Sequence, residues 1–186
     1  MMDGAGRVIW VTGLPGAGKS TVAAEIVSII RARSHHAILL DGDELRTVFR
    51  GGGGEPFGYD TESRLRLAMQ YSRLCGLLAA QGVTVIIATV SLFHEVHDWN
   101  REHLQGYCEV FIDVPTNVLE TRDPKGLYRQ YRTGTVSQIP GFDVIPEFPR
   151  RPDVRYQFRD GDGVAETVSF IVDSVDASYR ARRSLQ

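Results

Sequence analysis

The chain has 186 residues, 42% of them hydrophobic and 24% charged, which excludes a disordered tail, a collagen-like repeat and a small disulfide-stapled scaffold. Lys and Arg number 21 and Asp and Glu 23, so the formal net charge of -2 disfavours nucleic acid as the partner, which usually demands a basic surface. Length predicts one domain over residues 1–186. Cys75 and Cys108 lack metal-site spacing and read as buried thiols of a reducing compartment. The first residues carry no basic-then-apolar leader pattern, and the longest apolar run, around Val83 to Val90, is too short to span a bilayer. These features predict a cytoplasmic protein with no membrane partner.

In chain order, Val8–Thr12 reads as a strand running into a Gly-rich loop. Ser20 to Arg33 has apolar residues at Val22, Ile26, Ile29 and Ile30, the spacing of a helix. Ala37–Leu40 is a second strand, closed by Asp41-Gly42-Asp43. The run Gly51–Gly54 predicts a mobile loop. A helix capped at Thr61 runs through Leu67, Tyr71, Leu74 and Leu78 to Gly82. Val83–Thr89 and Val110–Val114 read as buried strands, Val154–Phe158 as a candidate fifth, and Val164–Arg183 as a closing amphipathic helix. Strands alternating with helices predict an α/β fold with a mainly parallel sheet between two helical layers. The segment from Asp123 to Pro152 is rich in Arg, Gly, Pro and Tyr and has no strand pattern, which predicts a lid.

Gly13-Leu14-Pro15-Gly16-Ala17-Gly18-Lys19-Ser20 matches G-x-x-x-x-G-K-[ST] between a strand and a helix. The glycines let backbone N–H groups turn inward onto phosphate oxygens, and the helix that follows adds the positive end of its dipole. Gly13, Gly16, Ala17, Gly18, Lys19, Ser20 and Thr21 thus form a predicted ATP site. Lys19 reaches the β- and γ-phosphates and the Ser20 hydroxyl holds Mg²⁺. No predicted strand ends in the Asp-x-x-Gly or Asn-Lys-x-Asp pattern of GTPases, and the chain is short for a mechanical ATPase, so a small-molecule kinase is expected. Asp41 and Asp43, at the carboxyl end of the second strand, are expected to face the loop. One of them takes or orients the acceptor proton and Asp41 also serves the metal.

These stretches, Gly13 to Thr21 (GLPGAGKST), Leu40 to Arg46 (LDGDELR) and Arg122 to Tyr128 (RDPKGLY), with a tail near Pro146-Glu147, resemble the adenylylsulfate (APS) kinase family from Val8 to about Asp153. The resemblance implies a P-loop nucleoside-kinase-like three-layer sandwich. It implies transfer of the γ-phosphate of Mg·ATP to the 3′-hydroxyl of adenosine 5′-phosphosulfate, giving PAPS, commonly by a homodimer. It also implies residue roles. Asp41 and Asp43 match the two acids of the family. Arg46 and Arg64 match arginines that hold the acceptor nucleotide, and bidentate guanidinium contacts suit sulfate and phosphate oxygens. Tyr59 stands where the family has an acceptor-stacking Phe. Val90 and Ser91 are expected acceptor contacts, Lys125 opens the lid, and Arg122 contacts ATP.

Three departures fall on the acceptor side. Leu67 replaces an Asn. Ser91-Leu92-Phe93-His94 lacks the Pro and Arg that usually follow the serine. Ile139-Pro140-Gly141-Phe142-Asp143 has Ile139 in place of the Phe that closes on the acceptor base, with Phe142 close enough to substitute. Either the acceptor is unchanged or it is another nucleotide conjugate, such as the cytidine diphosphoramidate used by some family members. A catalytically silent ATP-binding module and a kinase of nucleic-acid ends are the competing classes. His35-His36 reads as a solvated connection and His94 with His97 as an exposed helix start rather than a metal site. Trp10 and Trp99 are expected to pack, and Arg180 to Arg183 to close a helix.

Overall fold

The computed structural model describes residues 6–33, 36–50 and 58–183; the glycine run Gly51–Gly54 and His35 lie outside them. Four largely apolar runs and one alternating edge segment form five strands, β1 (Arg7–Thr12), β2 (Ala37–Asp41), β3 (Thr84–Ala88), β4 (Tyr107–Asp113) and β5 (Val154–Gln157). They pair in the order β2-β3-β1-β4-β5, and every pairing is parallel. Parallel neighbours require crossovers, and helices supply them: α1 (Lys19–Ala32), α2 (Gly42–Arg50), α3 (Thr61–Ala79), α4 (His94–His103), α5 (Thr116–Arg122), α6 (Leu127–Arg132) and α7 (Val164–Arg183).

Alternation along the strands divides the core in two. Ile9, Val11 and Ile86 face Val22, Ala23 and Ile26 of α1 and Val168 and Ile171 of α7. Val8, Trp10, Val85 and Ile87 face Leu67, Tyr71 and Cys75 of α3 and Val96 of α4. The result is the three-layer α/β arrangement expected. Trp10 is fully buried and Trp99 packs against the second core, and both cysteines are buried and free.

Several boundaries differ from the sequence reading. The cap of α3 is Asp60, not Thr61: its carboxylate accepts the Ser63 N–H at 2.9 Å. Both residues suit that role, and only Asp60 has the extended backbone that points its side chain back at the first turn. β4 begins at Tyr107, three residues earlier than Val110, because Glu109 is accommodated by buried partners rather than by solvent. α2 was not anticipated. The segment from Asp123 to Pro152 has no strand, as expected, but carries the short helix α6.

Leu67 is 1% exposed and lies within the core beneath α3, so its side chain is covered by protein rather than presented to a ligand. Truncation to alanine should cost about 2–5 kcal/mol of stability, the ordinary price of a buried Leu. Denaturant unfolding checks this. An unchanged midpoint, with only acceptor KM altered, would return Leu67 to the acceptor pocket.

Candidate active site

The carboxyl ends of β1, β2, β3 and β4 gather at one rim of the sheet. β1 opens there into the loop Gly13–Gly18. At Gly13 the backbone passes so close to β4 that a Cβ would stand 2.6 Å from the Ile112 carbonyl oxygen. Gly18, directly before α1, has φ 88°, a left-handed conformation that L side chains adopt only with strain. The loop therefore needs glycine for shape, and its curvature aims the first turn of α1 at the rim. Lys19 is buried and its ammonium donates to the Leu14 carbonyl at 2.8 Å, folding back across the loop. Burial lowers it to about 8, against the pull of Asp43.

Ser20 and Asp41 meet from two elements. The serine hydroxyl donates to Asp41 Oδ2 at 2.5 Å, while Asp41 Oδ1 accepts the Asp43 N–H at 2.9 Å. Asp41 is thus held by both its oxygens. Asp43 is exposed and its carboxylate pairs with the Lys125 ammonium, which that hydrogen bond raises above its ordinary value. A hydroxyl beside a carboxylate is a hard-oxygen pair of the kind that suits Mg²⁺, which keeps waters and takes phosphate oxygens as its other ligands.

Arg46 and Arg64 converge on Tyr59, their guanidinium carbons 4.9 and 5.8 Å from its ring centre. Tyr59 is exposed and Arg64 half-buried, so cation–π contacts gather an aromatic face and two cations on one side of the cleft. Ser91 follows β3 and is 8% exposed. Its hydroxyl and that of Thr89 hydrogen-bond at 2.7 Å, and the Val90 carbonyl accepts from Thr12 Oγ1 at 2.6 Å. Val90 is therefore tied to the base of the phosphate loop through its backbone.

Ile139 and Phe142 stand apart from this group. Ile139 is 2% exposed and belongs to the core on the α1 side. Phe142 packs on Tyr128 and Tyr131, with ring centres 4.7 and 5.4 Å away. Its ring is occupied by aromatic neighbours of its own segment. The segment itself rests on the phosphate loop: Tyr128 donates its hydroxyl to the Pro15 carbonyl, and a Cβ at Gly141 would stand 2.9 Å from Leu14 Cδ2.

On the far side of the loop, the Arg122 guanidinium lies 4.6 Å over the Phe158 ring. Together with Ala17, Thr21, Asp162 and Thr167 they line a small cavity beside α1. Phe158 was not anticipated as a site residue, although an aromatic just past a strand's carboxyl end is a recognisable signal. Asp123 was also missed. Its carboxylate caps α6, accepting N–H groups of Tyr128 and Arg129 at 3.1 and 3.0 Å. A third correction concerns His97, which was expected on an exposed helix start and is 4% exposed. Among the described residues no cluster of His, Cys, Asp or Glu would hold a metal ion, and no helix is long and apolar enough to cross a membrane.

A parallel sheet whose first strand feeds a G-x-x-x-x-G-K-S loop, with acids at the next strand's end, defines a P-loop kinase. The sequence matches the adenylylsulphate kinase family over residues 5–157, and the chain belongs to that family of phosphotransferases with an alcohol group as acceptor. It is 39% identical over 149 residues to the adenylyl-sulfate kinase of Pseudomonas aeruginosa, covering 79% of this chain and 74% of that protein. It is 34% identical over 137 residues to the cytidine diphosphoramidate kinase of Campylobacter jejuni, covering 74% of this chain and 78% of the relative. The APS kinase CysC of Mycobacterium tuberculosis, solved in complex with AMPPNP and APS, superposes with a TM-score of 0.83 at 29% identity. That likeness covers 92% of this chain and 98% of the mycobacterial one.

Proposed function

We propose that the protein moves the γ-phosphate of Mg·ATP to the 3′-hydroxyl of a nucleotide conjugate, adenylylsulfate being the acceptor the resemblance favours, to give PAPS. The observation that carries this reading is the meeting of Ser20, Asp41, Asp43 and Lys125 at the mouth of the phosphate loop. Residues 1–186 act as one domain in this reading, with 123–152 as the lid and a homodimer as the expected assembly.

Mg²⁺, when bound, neutralises phosphate charge. Ser20 and Asp41 would hold it, the carboxylate through water. Lys19 leaves the Leu14 carbonyl for the β- and γ-phosphates, and the anions restore the charge that burial disfavours. Gly13, Gly16, Ala17, Gly18 and Thr21 surround the phosphates, and Arg122 with Phe158 provides flat faces for the donor base. Asp43 is the carboxylate for the acceptor, because Asp41 is held by Ser20 and by a backbone amide. Asp43 orients the hydroxyl and takes its proton as the oxygen bonds to the γ-phosphorus and the bond to ADP breaks. Lys125 then faces the transferred phosphoryl group. Arg46, Arg64 and Tyr59 hold the acceptor's anion and base, with Val90 and Ser91 as the wall behind.

The cytidine diphosphoramidate reading rests on a specific observation. Ile139 is covered and Phe142 is engaged by Tyr128 and Tyr131, so neither of the two residues expected to close on the acceptor base offers it a free aromatic face. A pyrimidine needs less stacking surface. The test offers adenylylsulfate and cytidine diphosphoramidate separately with Mg·ATP, locating the new phosphate by mass and phosphorus NMR. Conversion of adenylylsulfate to its 3′-phosphate is the expected result. Turnover of the cytidine conjugate alone would replace the acceptor, and ATP binding without any turnover would make the protein a nucleotide-binding module.

A further inference from the structure

Behind the acceptor wall lies a buried polar cluster that the reaction above does not use. It comprises His97 (4% exposed) and Asn100 of α4 with Tyr107 and Glu109 (2% exposed) of β4. A hydrophobic layer would be cheaper at such a place unless the polar groups do something together. Their contacts run towards the site. His97 Nε2 lies 3.0 Å from the Ser91 carbonyl oxygen. A carbonyl only accepts, so that nitrogen carries the proton. Burial keeps the ring down to about 4, and hence neutral at pH 7. The other ring nitrogen makes no hydrogen bond, so the Ser91 carbonyl is the ring's one hydrogen-bond partner among the described residues. Nδ1 lies 3.9 Å from Glu109, whose carboxylate accepts from Tyr107 at 3.0 Å and from Arg101 at 3.1 Å. Arg101 also pairs with Asp153, and Asp153 accepts the Glu109 N–H at 2.8 Å.

From Ser91 the path continues to the acids. The Ser91 hydroxyl bonds Thr89, and the Thr89 side chain lies against Gly42, where a Cβ would come within 3.1 Å of Oγ1. Gly42 separates Asp41 from Asp43, and its carbonyl accepts from the hydroxyl of Tyr71 on α3 at 3.0 Å. We propose that His97 is a positioning residue: its Nε2–H holds the turn 89–91 against Gly42 and so fixes the two acids relative to the acceptor wall. The effect on turnover rests on the kinase reading given above; the effect on the turn does not.

The test compares His97→Phe, which keeps a ring and loses the donor, with His97→Gln, which keeps a donor near the position of Nε2. Each is assayed with Mg·ATP and adenylylsulfate, with Mg·ATP and cytidine diphosphoramidate, and by amide hydrogen exchange without ligand. For whichever acceptor the wild type uses, His97→Phe should lower kcat about 10- to 100-fold with KM for ATP within about twofold, the cost expected of small misplacement. His97→Gln should recover most of that loss. Amides of residues 89–93 and 42–43 should exchange faster in His97→Phe than in wild type. Wild-type protection there overturns the proposal whatever the turnover. So does a parallel fall of kcat and ATP affinity in both variants, tracking a lower Tm, which is the signature of a merely structural histidine. If the wild type uses neither acceptor, the kinase reading fails alone, and exchange still decides the role of His97. If His97→Phe does not fold, the exchange of His97→Gln decides: wild-type-like protection supports the proposal and faster exchange at 89–93 overturns it.

Discussion

Replacing Lys19 with alanine should abolish phosphoryl transfer to every acceptor, a loss on the order of 10³-fold or more in kcat. The ammonium is buried at the start of α1 and spans the loop to the Leu14 carbonyl, so it is preorganised where phosphate charge must be met. Burial disfavours its charge, and a bound polyanion offsets that penalty. Lys125, whose charge also reaches Lys19, is paired with Asp43 and lies outside the loop. The fold should survive, because the substitution removes a desolvated charge rather than a packed apolar group, and thermal unfolding of the variant checks this. Near-normal turnover by folded Lys19→Ala protein would end the phosphate-loop reading.

Asp43→Asn should leave ATP binding close to wild type and slow transfer by about 10²- to 10⁴-fold, the range for a lost general base. The separation of effects follows from geometry. The hydrogen bond of Asp43 towards the loop runs through Asp41, which accepts its backbone N–H, and an asparagine retains that amide. The Ser20–Asp41 pair remains intact, so nucleotide and metal should bind as before. What disappears is the acceptor for the hydroxyl proton and the partner of Lys125. Nucleotide titration and single-turnover transfer separate the two effects. A wild-type transfer rate would remove Asp43 from the chemistry, and a matching loss of ATP affinity would move it to the metal site.

Much of the scaffold was legible because buried parallel strands are continuous apolar runs. Val8–Thr12 and Val83–Thr89 announce themselves, and the glycine spacing after the first marks the loop that follows. The acids were legible by position, since a strand's carboxyl end faces the crevice in such sheets. The parts that were not legible share a physical cause: their side chains are polar and their burial depends on partners distant in the chain. His97 looks like a surface residue among Glu95, Asp98 and Arg101 until Ser91 and Glu109 enclose it. Tyr107 and Glu109 look like loop for the same reason, which shortened β4. α2 was hidden although Leu45, Val48 and Phe49 have helical spacing, because it is only nine residues long and begins within Asp41-Gly42-Asp43, residues that also suit a turn. Leu67 illustrates the opposite case. Its place in the motif left a changed pocket and an unchanged one both open, and its depth in the second core favours a packing role.

The segment from Asp123 to Pro152 is fastened at both ends. Tyr128 and Gly141 attach it to the phosphate loop. Near its far end Glu147 donates its N–H to the Leu92 carbonyl and accepts from the His94 amide, while His94 Nε2 meets the Phe148 carbonyl. A strip held this way is a bridge, not a door. Most of its chain entropy is lost when the protein folds, so tightening over a ligand adds little further ordering cost. In the kinase reading, ligands passing beneath it would do so by local arching between these attachments rather than by the swing of a hinge, and the stiffness of that stretch would set how quickly the site exchanges its contents.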